Sequence, residues 1–114
     1  MLAVIFEVIP TIEGREDYLS IAASLRTELE RSPGFISIER FQSLADKDKI
    51  LSLSFWEDEA SVTQWRNSEE HRIAQTKGRN SLFRDYRIRI GSIVRDYSLA
   101  EREQTPEDSR VFHT

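Results

Sequence analysis

The sequence contains no cysteine and only two histidines, His71 and His113, among its 114 residues. Without cysteine there is no disulfide framework, no thiolate metal site and no cysteine nucleophile. Two histidines are also little material for a zinc or iron centre built from side chains. We therefore predict a site that holds no metal.

The sequence also lacks an excess of basic residues and a long apolar run. The net charge is −4, whereas nucleic-acid binding needs a clustered basic surface. No apolar segment is long enough to span a bilayer. The apolar start at residues 1–10 has neither a preceding basic region nor a following cleavage site of small residues. We expect a cytoplasmic protein with neither a nucleic-acid nor a membrane partner.

The first apolar segment, Leu2 to Ile9, is rich in valine and isoleucine and ends at Pro10, which predicts a strand. Both alternate sets of its side chains are mostly apolar. A strand with one exposed face would carry polar residues in one set. We therefore expect both faces of this strand to be covered.

A helix is predicted from Gly14 to Arg31, ending before Pro33 because proline disfavours helical geometry in the residue before it. Its apolar residues recur at spacings of four, three and four, as one helical stripe does. The stripe consists of Tyr18, Ala22, Leu25 and Leu29.

Two strands, Phe35 to Ser43 and Ile50 to Trp56, flank a polar turn and predict an antiparallel hairpin. In the second strand the alternation places three apolar residues on one face. They are Leu51, Leu53 and Phe55. Trp56, at the end of this strand, is expected to pack at a sheet edge or against the C-terminal tail.

The second half of the chain predicts a split helix and a last strand. Asp58 is a plausible N-cap for a helix that runs to Trp65, and Ser68 caps a second piece that runs toward Gly78. The segment 82–97 alternates well, with Tyr86, Ile88 and Ile90 inward, and predicts a long strand. Residues 98–114 are polar and predict a tail that is mobile or lies on a partner.

The predicted order β-α-β-β-α-β is the ferredoxin-like arrangement, an α+β fold with both helices on one face of a four-stranded antiparallel sheet. The other face is also apolar in the first strand, and a second copy of the same sheet would cover it by symmetry. We therefore expect a homodimeric α+β barrel, with a domain at 1–97 and a tail at 98–114.

The segment Ser32 to Gln75 resembles the antibiotic biosynthesis monooxygenase (ABM) family of dimeric α/β barrels. The resemblance extends over about residues 2 to 97. The residues that carry it are Pro33-Gly34-Phe35, Glu39-Arg40-Phe41, Phe55-Trp56-Glu57, Trp65 and His71.

The resemblance implies a small enzyme that oxidises electron-rich polycyclic phenols or quinols with dioxygen. Several such members use no metal, flavin or haem, so we expect no cofactor. The pocket would lie inside each subunit, between sheet and helices. Its partners would be a second subunit, a small aromatic substrate and O2.

Such a reaction needs a flat apolar pocket, a base and a group that stabilises an oxyanion. Trp65 is predicted to pack in the core while one edge of its indole lines the pocket. His71, in the first turn of the second helical piece, is either an exposed capping residue or the base. A helix N-terminus would keep its imidazole neutral.

Three further residues are candidate contacts with the substrate: Tyr86, Arg84 and Phe55. Tyr86 and Arg84 are expected on one face of the last strand, together with Ile88. For each of the two, an ordinary core tyrosine or solvated arginine is the competing interpretation. Glu7 and Glu39 interrupt apolar strands and are expected to pair with an arginine, for which Arg40, Arg87 and Arg89 are available.

Two alternatives stay open. Haem-degrading members of the superfamily resemble this chain in the helix tryptophan, but their first-strand asparagine falls at Glu7 or Val8. Their haem-ligating histidine, ten residues after the tryptophan, falls at Gln75, so His71 would have to serve. The second alternative is a dimer that binds a small molecule without turning it over.

Overall fold

The computed structural model describes residues 1–76 and 82–108, and for residues 70–76 it describes the backbone alone. One antiparallel sheet has the strand order β2-β3-β1-β4. The fold is the predicted ferredoxin-like α+β arrangement. The elements are β1 (Leu2–Pro10), α1 (Gly14–Ser24), α2 (Arg26–Glu30), β2 (Phe35–Gln42), β3 (Ile50–Trp56), α3 (Glu59–Thr76) and β4 (Phe83–Ser92).

The helices cover one face of the sheet, which we call the helix face, and leave the opposite open face to the outside. Val8 and Trp56, at 0% and 1% exposure, lie on the helix face and pack against residues of the helices. Ile5 and its partner Leu53 lie on the open face and are only partly buried. Both faces of β1 are therefore apolar, as the sequence predicted.

The first helical region is interrupted at Leu25, where the single predicted helix becomes α1 and α2. Leu25 has φ −85° and ψ −7°, which is turn geometry, although its N–H still donates to the Ile21 carbonyl at 3.0 Å. The predicted stripe still faces the sheet, because Tyr18, Leu25 and Leu29 are all buried.

The prediction of a split second helix is wrong, because α3 is continuous from Glu59 to Thr76. No proline or glycine lies within it, so nothing interrupts the hydrogen-bond ladder at Ser68. The predicted Asp58 cap is confirmed: its Oδ1 accepts from the Ser61 backbone N–H and hydroxyl, both at 2.8 Å. Gly78 lies outside the described residues.

Gly34 joins the start of β2 to the start of α3. Its φ of +77° is in the left-handed region, and a Cβ there would overlap the Ser61 side chain. The Glu57 N–H donates to the Gly34 carbonyl at 2.8 Å. Only glycine fits both the dihedral angle and the space.

The core consists of two clusters, and the expectation that Trp56 packs at a sheet edge or on the tail is wrong. Trp56 is among the largest fully buried side chains and is the centre of the cluster with Leu29 and Val62. The reason is that β3 lies between β1 and β2, so its last residue remains inside the sheet. The other cluster gathers Tyr18 and Phe83 around Val8.

The last strand is shorter than the predicted 82–97 and ends at Ser92. Beyond it, Ile93 donates to the Met1 carbonyl at 3.0 Å, and the Asp96 N–H donates to Gln104 Oε1 at 2.7 Å. Thr105 is 5% exposed, so the described part of the tail folds back on itself. Residues 109–114 lie outside the described residues, and the boundary at 97/98 stays a prediction.

Within the described ranges 1–76 and 82–108, no helix has the length and apolar character needed to cross a bilayer.

Candidate functional site

A cavity of about 60 Å³ lies between α3 and the helix face of the sheet. Its walls are apolar residues from all four strands and from α3, and two buried serines of β3 lie between them. Arg66 and Glu69 of α3 also line it. The apolar lining residues are Val4, Phe6, Ile38, Trp56, Val62, Trp65, Ile88 and Ile90.

Two stacked tryptophans form one end of the cavity. The rings of Trp56 and Trp65 lie 6.4 Å apart at an interplanar angle of 30°. The Trp56 Nε1–H donates to Ser54 Oγ at 2.9 Å, which fixes the indole orientation. Trp65 is partly buried, so it packs in the core and also lines the cavity, as its position on the helix predicted.

The two serines on the cavity floor are equally buried but differently bonded. Ser52 and Ser54 are each 6% exposed. The Ser54 hydroxyl accepts the Trp56 indole N–H, whereas the Ser52 hydroxyl makes no hydrogen bond to any described residue. Ser52 therefore presents a free hydroxyl toward the cavity that it lines.

Tyr18, Arg40 and Glu69 form a cluster of interacting polar groups near the two serines. Burial raises the pKa of the Tyr18 hydroxyl above its ordinary value, and the charge and hydrogen bond of Arg40 oppose that shift. Glu69 raises the pKa of Tyr18 further through its negative charge. Arg40 is the register partner of Ser52, and its Nε–H is buried without an acceptor. Tyr18 is thus a neutral hydroxyl at physiological pH.

The predicted site residues occupy different places. Tyr86 lies on the helix face as predicted, with its ring 5.8 Å from Phe6, and it is 40% exposed beside the cavity. Phe55 lies on the open face, so its predicted contact with a ligand beside Trp65 does not fit this cavity. Its predicted contact with a substrate stays a prediction.

The sequence predicted that Arg84 shares a strand face with Tyr86 by simple alternation. In the structure Arg84 is exposed and falls outside that alternation. The pairing shifts between Ile9 and Pro10, which skips Arg84 and makes it the extra residue of a bulge. His71 lies on α3, but its side chain is outside the described residues. Its predicted role therefore stays a prediction.

Sequence reasoning missed Arg66, Glu69, Ser52 and Arg40. The signal for the first two was present, because Val62, Arg66 and Glu69 follow the helical spacing of four and three. Polar residues in a strand are usually assigned to the solvent side, so the serines of β3 were not assigned to the floor of a cavity.

The residues around the cavity do not fit a haem group. None of the described lining residues has an imidazole or a thiolate that could ligate iron. Among the described residues, no group of three or more His, Cys, Asp or Glu could hold a metal ion.

Comparison with known proteins decides the family. The family model described as antibiotic biosynthesis monooxygenase matches residues 1–77. The chain belongs to this family. An ABM relative from Pyricularia oryzae, named jasmonate monooxygenase ABM, is 47% identical over 94 residues. These residues make up 82% of this chain but 44% of the relative, so the chain spans less than half of that protein's length.

Solved structures support the ABM fold. Rv0793 from Mycobacterium tuberculosis superposes with a TM-score of 0.72 at 14% identity, over 85% of this chain and 98% of that one. The haem-degrader MhuD of the same organism, solved with two haems bound in its active site, gives a TM-score of 0.64 at 14% identity, over 86% and 100%. At these identities the similarity shows the fold alone. The resemblance that the sequence carried is thus confirmed.

Proposed function

We propose that this ABM-family chain is a monooxygenase that oxidises a small, largely apolar organic molecule with dioxygen, without a bound cofactor. The observation that carries the proposal is the cavity. It combines the stacked pair Trp56 and Trp65 with one carboxylate, Glu69, and one guanidinium, Arg66. Apolar walls with a few converging polar groups are what an organic substrate requires.

The substrate class we propose is an electron-rich phenol or quinol, such as an anthrone. Removing its proton gives an anion that transfers one electron to O2, and the two radicals combine into a peroxide anion at the ring carbon, which takes up a proton to become a hydroperoxide. Loss of water then leaves a carbonyl on the ring. One oxygen atom ends in the product and the other in water, and the substrate supplies all the electrons.

The protein's part is to take the proton, to hold the anion and to exclude water. Glu69 is the first candidate base among the described side chains, because it lines the cavity. His71, two residues further along α3, remains the base that the sequence predicted. Arg66 would stabilise the oxyanion, and Trp65 would hold the ring by stacking.

In the single chain the cavity is also partly open on the side of β4. Tyr86, Ile88 and Ile90 are 40–42% exposed on the helix face next to it. Enzyme pockets of roughly 300–1,000 Å³ are usual, so a substrate would extend along these side chains of β4. Tyr86 is therefore kept as a proposed substrate contact.

A second candidate substrate is jasmonate or a molecule like it. The observation that favours it is the 47% identity to a protein of that name, although this chain matches only 44% of that protein. Haem degradation is a weaker candidate. The solved haem-degrader shares the fold at 14% identity, and the lining described above offers no iron ligand.

The functional unit we propose is a homodimer in the cytoplasm, in which a second copy covers the open face. Partly buried apolar side chains remain on that face of the single chain. They are Ile5, Ile9, Leu51, Leu53 and Phe55. A symmetric pair of such faces would bury all of them.

The test is oxygen uptake by metal-stripped protein on a panel of anthrones, hydroquinones and jasmonate. We expect uptake above the non-enzymatic rate and a loss of about 10²–10⁴-fold when the base is removed. Glu69→Gln and His71→Ala decide between the two bases, and Trp65→Phe tests the wall. Exposed Glu57→Gln is the matched control.

No uptake by the wild-type protein across the panel would reject the oxygenase. Haemin titration would follow, and a Soret band that depends on His71 would favour the haem alternative. Binding of panel compounds without uptake or a Soret band would leave the non-catalytic binding dimer.

A further inference from the structure

Two hydrogen-bond donors that the described chain does not use lie at and beside the cavity. Ser52 is 6% exposed and lines the cavity, and its hydroxyl makes no hydrogen bond to any described residue. Arg40 buries its Nε–H without an acceptor. Buried donors are nearly always paired in folded proteins, so each unpaired donor requires an explanation.

These two donors are neighbours. Arg40 and Ser52 are register partners on the antiparallel strands β2 and β3, on the helix face. Directly opposite residues in such a pair have Cβ atoms roughly 4.5–5.5 Å apart. We call this pair the Arg40–Ser52 corner. It offers a charged N–H and a hydroxyl from one side of the sheet to a single acceptor.

The charges around the corner favour an anion. Arg40 and Arg66 supply two positive charges, and Glu69 supplies one negative charge. Tyr18 stays neutral, because burial and Glu69 raise its pKa. Among the described residues of the cavity and of the corner beside it, positive charges therefore exceed negative charges by one, in a chain whose net charge is −4. Apolar neighbours such as Phe6 and Ile38 strengthen any charged hydrogen bond formed there.

We infer that the Arg40–Ser52 corner binds an anionic oxygen of the ligand, a carboxylate or a phenolate, while its apolar skeleton lies against Trp56 and Trp65. This inference rests on the proposed function and narrows its substrate to an amphipathic monoanion. A neutral ligand of the same shape would offer the Arg40 Nε–H only an uncharged, weaker acceptor. The Arg40–Ser52 corner therefore binds an acid more tightly than the ester of that acid.

The probes are 2-naphthoate, methyl 2-naphthoate and 2-naphthol, titrated calorimetrically into the 114-residue chain. We expect the acid to bind more tightly than the ester. Arg40→Met should weaken naphthoate binding at least about tenfold, because a charge-assisted hydrogen bond is lost. Ser52→Ala should weaken it about threefold or more. Ester affinity should change by less than about twofold in both variants.

Matched controls are Arg31→Met and Ser20→Ala. Both residues are exposed, and the first removes the same positive charge from the chain. Neither should change the affinity for naphthoate. Arg40→Lys keeps the charge but loses the planar N–H fork, so it should give an intermediate loss. The naphthol arm reports whether a phenolic oxygen or a carboxylate is the better ligand.

Equal losses for acid and ester, or no loss in any variant, would overturn the inference, as would failure of naphthoate to bind the wild type. If Arg40→Met does not fold, as thermal melting will show, Ser52→Ala and Arg40→Lys decide the question. Tighter binding of the acid than of the ester, without oxygen uptake, would contradict only the proposed function. Oxygen uptake with equal affinities for acid and ester would contradict only this inference.

Discussion

At the scale of single residues, two serines of β3 have the same burial and different roles. The Ser54 hydroxyl fixes the indole of Trp56 by a 2.9 Å hydrogen bond, and the Ser52 hydroxyl makes no hydrogen bond to any described residue. The difference follows from position, because Ser54 lies two residues before Trp56 on the same face. One serine therefore stabilises the fold, and the other is available to a ligand.

We predict that Ser54→Ala lowers the free energy of unfolding by about 1–3 kcal/mol, because it leaves a buried indole N–H without an acceptor. Ser52→Ala is the matched control, at the same 6% exposure on the same strand face. It should change the free energy of unfolding by less than about 0.5 kcal/mol. Urea unfolding measures both, and equal losses would contradict the assignment.

At the scale of elements, the start of α3 is held from two sides. Asp58 caps its first turn through Ser61, and Gly34 brings β2 against the same serine. The α3 backbone therefore begins at a defined place on the sheet. That placement brings Trp65 and Glu69, one and two turns further on, over the cavity.

We predict that the Asp58 cap makes the stability of the chain pH-dependent. Its hydrogen bonds to Ser61 lower the pKa of the carboxyl below its ordinary 3.8. The contribution to stability is thus fully present above pH 3.8 and is lost as the pH falls through the folded-state pKa. Asp58→Asn keeps an acceptor but removes this titration.

Thermal melting from pH 6 down to about pH 2 checks the Asp58 prediction, since the pKa values of carboxyl groups lie in this range. Asp58→Ala should lower the melting temperature at pH 6, and the difference from wild type should shrink as the carboxylate is protonated. A difference that stays constant down to the lowest pH would show that the cap does not depend on the charge.

At the scale of the whole molecule, the open face of the sheet is the one that the helices of the single chain leave uncovered. Its apolar residues surround an ion-pair network in which Glu7 contacts Arg89 at 3.4 Å and Lys49 at 3.8 Å. The predicted pairing of Glu7 with an arginine is confirmed for Arg89. A second copy would bury this network together with Leu53 and Phe55.

We predict a dimer at micromolar concentration, measured by light scattering. Leu53→Glu should shift the mass to that of a monomer, because it places a charge in the centre of the apolar open face. Leu44→Glu is the control, since Leu44 is fully exposed in the turn between β2 and β3. A monomeric wild type would reject the barrel.

What the sequence by itself determined depends on local interactions. The stripe of α1 and α2, the hairpin of β2 and β3, the Asp58 cap and the two apolar faces of β1 follow from periodicity, turn chemistry and capping. So does the inward position of Trp65. The resemblance to the ABM family was also present in the order of residues. These features repeat within a few residues, so a single sequence contains them.

The tertiary structure decided everything that depends on strand register and on which face is covered. Alternation in β3 allowed either Phe55 or Trp56 to face the helices, and only packing against α2 and α3 selected Trp56. A single bulge moved Arg84 out of the predicted alternation. The Arg40–Ser52 corner exists because two strands pair in one register. Such neighbours are distant in sequence, so no local pattern predicts them.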